Sequence, residues 1–325
     1  MNDSSPLVSV IIPAYNAGDF VEACLCSVIG QTYHNLEIIV VNDGSTDDTP
    51  RIVEKYASVD SRIFLVSKEN EGLPLARRTG IDVAKGKYIQ HLDSDDTLLE
   101  DAIENLVEKA EGTDADIVAA PFFFCYTDQP ARHSGELAFT ELSGIAYLDE
   151  ILHLRAYWSV WSNFQKRSLF LEHDIEIVPH IYYGEDAILM TQLLTYASKV
   201  VSLDKPILHY NRFSSSMTYG INDEKYRNFR LYPAWIEDFL NRKGLAESLG
   251  EKIALLHIRT TFSSFSWGRF EDTRTDMKRI IDDLKQYPAL EKVLARRERK
   301  IISVYRISSW LGHINLLRYK RQGKI

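Results

Sequence analysis

Three groups of residues in this 325-residue chain have side chains suited to chemistry. Asp93-Ser94-Asp95-Asp96 sets three carboxylates in four positions, Glu185-Asp186 follows Gly184, and Tyr15 and Asp43 each stand at the end of an apolar run. An aromatic ring beside an acceptor carboxylate can hold a nucleobase by stacking and hydrogen bonding. A carboxylate cluster offers hard oxygen ligands to a divalent cation. Asp-rich turns also arise because Asp favours turns and helix N-caps, but clustered carboxylates repel one another unless something positive lies between them. A metal ion bridging to a diphosphate would meet that need, and would neutralise charge on a departing phosphate. Glu185 and Asp186 equally suit a helix N-terminus, where acids complement the dipole. No Gly-x-Gly-x-x-Gly follows the first apolar run and there is no Walker A sequence, so a dinucleotide or P-loop site lacks its phosphate cradle.

These residues need a scaffold, and the first half of the chain supplies one. Leu7–Pro13, Leu36–Asn42, Ile63–Ser67, Tyr88–Leu92 and Ile117–Phe124 read as strands, rich in Val, Ile and Phe. Ile38 to Val41 are continuously apolar, as in strands buried on both faces of a mainly parallel sheet. Between the runs lie helical patterns near 18–29, 47–59, 73–84 and 99–110, with N-cap candidates at Ser45 to Asp48. The alternation predicts an α/β domain with right-handed crossovers. In such a sheet, ligands bind beyond the carboxyl ends of the strands, where Tyr15, Asp43 and the acidic cluster fall. Further helices are expected near 145–154 and 185–197, and short strands near 200–203 and 207–210. After Tyr219 helical periodicity dominates, so the domain boundary is placed near 220: a catalytic domain over 1–220 and a helical region over 221–325.

Composition limits the class. Charged residues are 26% and apolar residues 45%, ordinary for a globular protein. No apolar run reaches the length of a membrane span, and the N-terminus does not read as a signal peptide. Three cysteines are too few for a disulfide framework, which predicts a reducing, cytoplasmic setting. A net charge of −8 argues against nucleic acid as a partner. The charge is uneven. From Lys292 onward there are ten Lys or Arg and one acid, a net +9, so the first 291 residues carry −17. Ile301, Ile302, Val304, Trp310, Leu311, Ile314, Leu316 and Leu317 lie within that basic tail. An interfacial helix on anionic lipid fits this pattern; so does a terminal helix that packs on the body with its basic side solvated.

The order Pro13-Ala14-Tyr15-Asn16, Ile38 to Thr49 (IIVVNDGSTDDT), Asn70 to Ile81 (NEGLPLARRTGI), His91 to Asp96 (HLDSDD) and Gly184-Glu185-Asp186 resembles the family 2 glycosyltransferases, over about residues 7–215. The resemblance implies a GT-A fold with a helical C-terminal extension, and an inverting enzyme that uses a nucleotide-sugar, with UDP-sugars expected. It implies Pro13, Tyr15, Asn16 and Asp43 around the nucleoside and Arg77 on the nucleotide side. Asp93 and Asp95 correspond to the Asp-X-Asp motif, with Asp95 toward Mn2+ or Mg2+, Asp93 toward the ribose or sugar, and Asp96 near the sugar. Asp186 corresponds to the catalytic base, with Glu185 as the runner-up. Trp161 and Lys166 lie where relatives carry acceptor-site residues. Arg212, ahead of Ser214-Ser215-Ser216, could pair with phosphate, and His209 could be a further metal ligand. The expected acceptor is a glycan or lipid-linked hydroxyl in cell-surface polysaccharide assembly, with the enzyme cytoplasmic or at the inner membrane face. Three positions depart from the pattern: Arg78, His91 and Thr97. A nucleotidyltransferase would carry a Gly-rich basic loop after strand one, and a non-catalytic binding module would have lost acids that are present here.

Overall fold

In a computed structural model, residues 5–213 and 220–321 are described, the side chains of 319–321 apart. The chain divides into two compact units, one formed by residues up to Ile151 and Arg155–Gly220, the other by Leu152–Leu154 and residues from Ile221 on.

The first unit holds twelve strands among the described residues: β1 (Val8–Ala14), β2 (Leu36–Asp43), β3 (Ile63–Lys68), β4 (Tyr88–His91), β5 (Thr97–Leu98), β6 (Ile117–Ala119), β7 (Phe123–Tyr126), β8 (Gln129–His133), β9 (Glu141–Leu142), β10 (Asn163–Lys166), β11 (Val200–Ser202) and β12 (Leu208–Arg212). The large sheet has the order β3-β2-β1-β4-β10-β6-β11-β9, and β5-β12-β7-β8 form a second sheet. β1 pairs in parallel with β2 and β4, β2 in parallel with β3, and β10 runs antiparallel between β4 and β6. Helices α1 (Val21–Ile29), α2 (Thr49–Ala57), α3 (Leu73–Val83), α4 (Ala102–Thr113), α5 (Gly144–Leu152), α6 (Ser168–Leu171) and α7 (Glu185–Tyr196) complete it.

Every residue of β1 and β2 is buried, which explains their continuous apolar runs. Alternation sends Val10, Ile12, Ile38 and Val40 into one core layer with Leu25 of α1, Val53 of α2 and Leu106 of α4. It sends Ile11, Ile39 and Val41 to the other face, against Ala76 and Ile81 of α3. Gly80 lets α3 lie close on β1, since a Cβ there would run into the Ile11 side chain.

The strand order reverses direction at β1. β2 and β3 follow on one side and β4 on the other, a switch point that opens a crevice at the carboxyl ends. Pairing of β1 with β4 ends at Ile11 and His91, after which Leu92 N–H donates to the Ile11 carbonyl (3.0 Å). Pro13 comes just beyond, and its missing N–H falls on the side that β4 has already left.

The expected strand Ile117–Phe124 is two strands in two sheets. Pro121 separates them: it cannot donate to a ladder, and its carbonyl instead accepts from Ile207 N–H (3.0 Å).

The second unit is helical, with α8 (Asp223–Phe229), α9 (Tyr232–Arg242), α10 (Gly250–Ser266), α11 (Thr273–Gln286), α12 (Arg296–Ile307) and α13 (Ser309–Arg321). Ile236, Phe239, Ile258, Phe265, Ile280 and Ile301 are all buried.

Candidate active site

A cleft of about 540 Å³ opens at the switch point. Pro13, Tyr15 and Asn16 line it from the end of β1, Asp43 from the end of β2, and Asp93 and Asp95 from the loop after β4. Phe20, Asn70, Gly72, Tyr182 and Tyr210 complete the wall. Tyr15 is more than half exposed, an apolar ring held open to the cleft.

Local hydrogen bonds fix each loop. Asn16 adopts a left-handed backbone (φ 49°), and its Oδ1 accepts from Thr46 N–H (2.9 Å) while its own N–H donates to Ser45 Oγ (3.0 Å). Asn16 therefore ties the β1 loop to the β2 loop. Asp43 is buried. Its Oδ1 accepts from Glu71 N–H (3.0 Å) and Lys68 Nζ (3.3 Å), and its Oδ2 from Gly72 N–H (2.8 Å). Gly72 sits at φ 88°, a conformation that glycine adopts without strain, and the turn aims those two N–H groups at one carboxylate.

Arg77 is the centre of charge. Its side chain is 3% exposed, buried on α3. Nη1 donates to Asp186 Oδ1 (2.6 Å) and Glu185 Oε1 (3.4 Å), and Nη2 to Asp93 Oδ1 (2.9 Å). Burial would lower its pKa, but the three carboxylates override this and raise it. The same burial acts on the acids. Glu185 is pushed up to about 8 by burial and then by Asp186, against the pull of Arg77. Asp186 is raised by burial, an effect opposed by Arg77. Asp95 is raised to about 6 by burial and by Asp93.

Asp186 lies at the start of α7, just after Gly184 (φ 111°). Its second oxygen accepts from Val160 N–H (3.3 Å). The next residue, Trp161, is 6% exposed; it stacks on Tyr210 (ring centroids 5.0 Å apart) and meets Phe122 edge-on (4.7 Å). It backs the cleft wall through Tyr210 and offers little surface of its own to an acceptor.

Three expected site residues, Asp96, Lys166 and His209, are placed elsewhere. Asp96 is fully buried beneath the cleft; its Oδ1 accepts from Asn211 N–H (2.7 Å) and its Oδ2 has no partner. With Asn211 Nδ2 donating to the Asp95 carbonyl (2.8 Å), Asp96 anchors the acidic loop to β12 instead of facing a sugar. Lys166 pairs with Asp114 (2.7 Å) and Asp116 (3.4 Å). It stands opposite Tyr88, at the amino end of β4 and so the far end from the cleft. His209 is next to Tyr210, and strand alternation turns it to the opposite face, against Phe123 (5.6 Å). Arg212, two residues after Tyr210 and therefore on the same face of β12, lies over the Tyr126 ring (5.7 Å). Ser214-Ser215-Ser216 fall outside the described residues.

Among the described residues, no group of three or more His, Cys, Asp or Glu side chains could hold a metal. A divalent cation nonetheless fits at Asp95. That carboxylate lines the cleft, is destabilised by burial and Asp93, and is separate from the Arg77 pairs. Cations of this kind often take one or two protein carboxylates and complete their shell with substrate phosphates and water.

Sequence reasoning placed Arg77 near the nucleotide but missed that it joins Asp93 to Glu185 and Asp186. It also missed Phe20, Tyr182 and Tyr210, and it gave no role to Asn70, the first residue of the Asn70 to Ile81 motif. The glycine at 72, after Asn70-Glu71, was the available sequence signal for that turn.

Residues 9–175 match the family described as Glycosyl transferase family 2. The chain belongs to that family. It is 34% identical to the uncharacterized glycosyltransferase EpsJ of Bacillus subtilis (strain 168), over 66% of this chain and 63% of that protein. It is 30% identical to glycosyltransferase GlyA of Streptococcus pneumoniae serotype 4, over 77% of this chain and 34% of that protein. The match thus spans under two thirds of either relative. Glycosyltransferase GlyG from the same Streptococcus is 32% identical, over 66% and 73%. The crystal structure of S. aureus TarS 1-349 in complex with UDP-GlcNAc superposes with a TM-score of 0.72 over 97% of this chain and 92% of that one. At 19% identity that likeness is one of fold. The family 2 chain thus has the GT-A fold, a large mainly parallel sheet followed by C-terminal helices.

Proposed function

We propose that this family 2 protein transfers one sugar from a UDP-sugar to a hydroxyl of a glycan or lipid-linked acceptor, with inversion at the anomeric carbon. Cell-surface polysaccharide assembly, on the cytoplasmic side where nucleotide-sugars are made, is the proposed setting. The observation that carries the reading is the buried Arg77 guanidinium, which holds Asp186 at 2.6 Å and Asp93 at 2.9 Å. It brings a carboxylate able to take a proton beside the carboxylates that line the donor cleft. The family membership and the UDP-GlcNAc complex of the structurally similar TarS support the donor class. The transferred unit is a hexose or an N-acetylhexosamine.

In this reading Tyr15 stacks on the base and Asp43, fixed by Gly72 and Glu71 N–H groups, orients it. Asp93 accepts from a ribose or sugar hydroxyl. Mn2+ or Mg2+, held by Asp95 when bound, supplies Lewis-acid stabilisation of charge on the diphosphate. Asp186 removes the proton from the acceptor hydroxyl. The acceptor oxygen bonds to the anomeric carbon as the carbon–oxygen bond to phosphate breaks, and the electron pair leaves with the diphosphate. General base catalysis of this kind contributes about 10²–10⁴-fold. Val160 N–H and Arg77 hold Asp186 in place, so little reorganisation is needed at the moment of reaction.

The test is UDP release from a UDP-sugar panel with Mn2+, Mg2+ or EDTA, for the wild type and Asp186→Asn. The variant is expected to lose at least about a hundredfold in turnover while keeping the thermal stabilisation by UDP. Full turnover in the variant would rule Asp186 out as the base. No stabilisation by any nucleoside diphosphate, from folded protein, would rule out the donor reading.

A further inference from the structure

We propose that the helix pair α12–α13 docks on an anionic phospholipid surface. The residues that pack this pair are accounted for. Ile301, Ile302 and Tyr305 of α12 and Leu316 of α13 are buried. Gly312 lets the two helices approach, because a Cβ there would run into the Tyr305 ring. The apolar residues left over point outward: Ile307 is 80% exposed, Trp310 62%, Leu311 45% and Leu317 38%. Four of the eleven exposed large hydrophobic residues described in the chain therefore fall within eleven positions. Single exposed apolar residues are ordinary, whereas a cluster marks an interaction surface.

Helical spacing groups them with cations. Arg296, Lys300 and Ile307, at i, i+4 and i+11, share the outer face of α12. On α13, Trp310 aligns with Leu317 and Leu311 with Arg318, all exposed. Trp with Leu and Ile beside Arg and Lys is the composition of a helix lying in a lipid interface. Tryptophan there sits at headgroup level. Among the described residues no helix is long and apolar enough to cross a membrane, so the contact is a surface one.

Charge selects lipid over a second copy of the same face. The segment from Lys292 carries a net +9, so two such faces repel, whereas an anionic bilayer attracts them. The terminal helices do pack through Ile301, Ile302, Tyr305 and Leu316, but Ile307, Trp310, Leu311 and Leu317 stay outside that packing.

The experiment is co-sedimentation of the full chain with phosphatidylcholine vesicles, with and without 30% phosphatidylglycerol (roughly a third of the charge a fully anionic surface would carry). Binding is expected to the anionic vesicles only, and to weaken on raising the salt. Trp310→Ser with Leu317→Ser should weaken it more than about tenfold. Arg296→Gln, Lys300→Gln and Arg318→Gln together should weaken it about a hundredfold, at roughly fivefold per charge. All these side chains are exposed, so circular dichroism and the UDP-dependent thermal shift should be unchanged, which separates failure to dock from failure to fold. Equal binding to neutral vesicles, no binding, or binding unaffected by either set of variants overturns the proposal. So does a dimer in size-exclusion chromatography that Trp310→Ser dissociates without any vesicle binding, which would assign the face to a second copy.

Discussion

Replacing Asp95 with Asn should stabilise the protein alone while removing its response to metal. The Asp95 carboxyl is raised from 3.8 to about 6, first by burial and then by Asp93. At about 1.4 kcal/mol per pH unit, that corresponds to roughly 3 kcal/mol. Solvent in the cleft screens part of it, leaving about 2 kcal/mol. The sign follows from proton linkage. The folded chain binds this proton more tightly than the unfolded chain does, so stability falls as pH rises from about 4 to 6, and the full cost applies above that. The Asn variant is therefore expected to be about 2 kcal/mol more stable at pH 8, with the gain shrinking to about a third at pH 4.5. Urea denaturation of both proteins at the two pH values measures this. A parallel titration with UDP and Mn2+ should stabilise the wild type by mass action, about 2.7 kcal/mol at a hundredfold excess over Kd, and the variant far less. An Asn variant less stable at pH 8, or an unaltered metal-dependent UDP response, would refute the assignment of Asp95.

Two further outcomes follow from buried charge. Arg77→Met leaves Asp93, Glu185 and Asp186 without their shared cation, and should cost about 3–5 kcal/mol in equilibrium unfolding; Arg77→Lys should recover part of that but little transfer, since one ammonium cannot span both directions of the guanidinium. His91 is fully buried with neither ring nitrogen partnered, and burial, then Arg77, holds it down to about 3. It must stay neutral in the fold, so the wild type loses stability as pH falls from 6.5 toward 3. His91→Leu should be the more stable protein at pH 4.5 by roughly 2–3 kcal/mol, with the difference vanishing above pH 7.

The strands that carry the cleft were legible because β1 and β2 are buried on both faces and written in Val and Ile. β10 was not legible. Asn163 and Gln165 are buried in the middle of the large sheet, where polarity argues against a strand. Their amides find local partners: Gln165 Nε2 donates to the Val160 carbonyl (2.9 Å) and Asn163 Nδ2 to the Ser159 carbonyl (2.8 Å). Missing β10 left Lys166 free to be assigned to an acceptor site, when the strand carries it to the other end of the sheet. Asp43 and Asp186 were legible as acids at element ends. Their hydrogen-bond partners were not, because Gly72 lies 29 residues from Asp43 and Arg77 lies 109 from Asp186. His209 shows the same limit at the scale of one residue, since its neighbour Tyr210 faces the cleft and strand alternation turns His209 away.

The choice between Asp186 and Glu185 as base turns on how Arg77 is shared. Both are half-buried carboxyls on one turn of α7, so they cannot both hold full charge cheaply. Arg77 lies 2.6 Å from Asp186 and 3.4 Å from Glu185, and Asp186 alone also accepts from Val160 N–H. Glu185 gains only the Gly184 N–H (3.0 Å), and burial, then Asp186, pushes its carboxyl up, which favours its protonated form. A protonated carboxyl cannot accept the acceptor's proton. Paired acids whose surroundings push them apart in this way divide into one that stays ionised and one that stays neutral. The shorter Arg77 contact and the Val160 N–H favour the charge on Asp186, which is the reason we propose it as the base; Arg77 also ties it to Asp93 and the donor cleft.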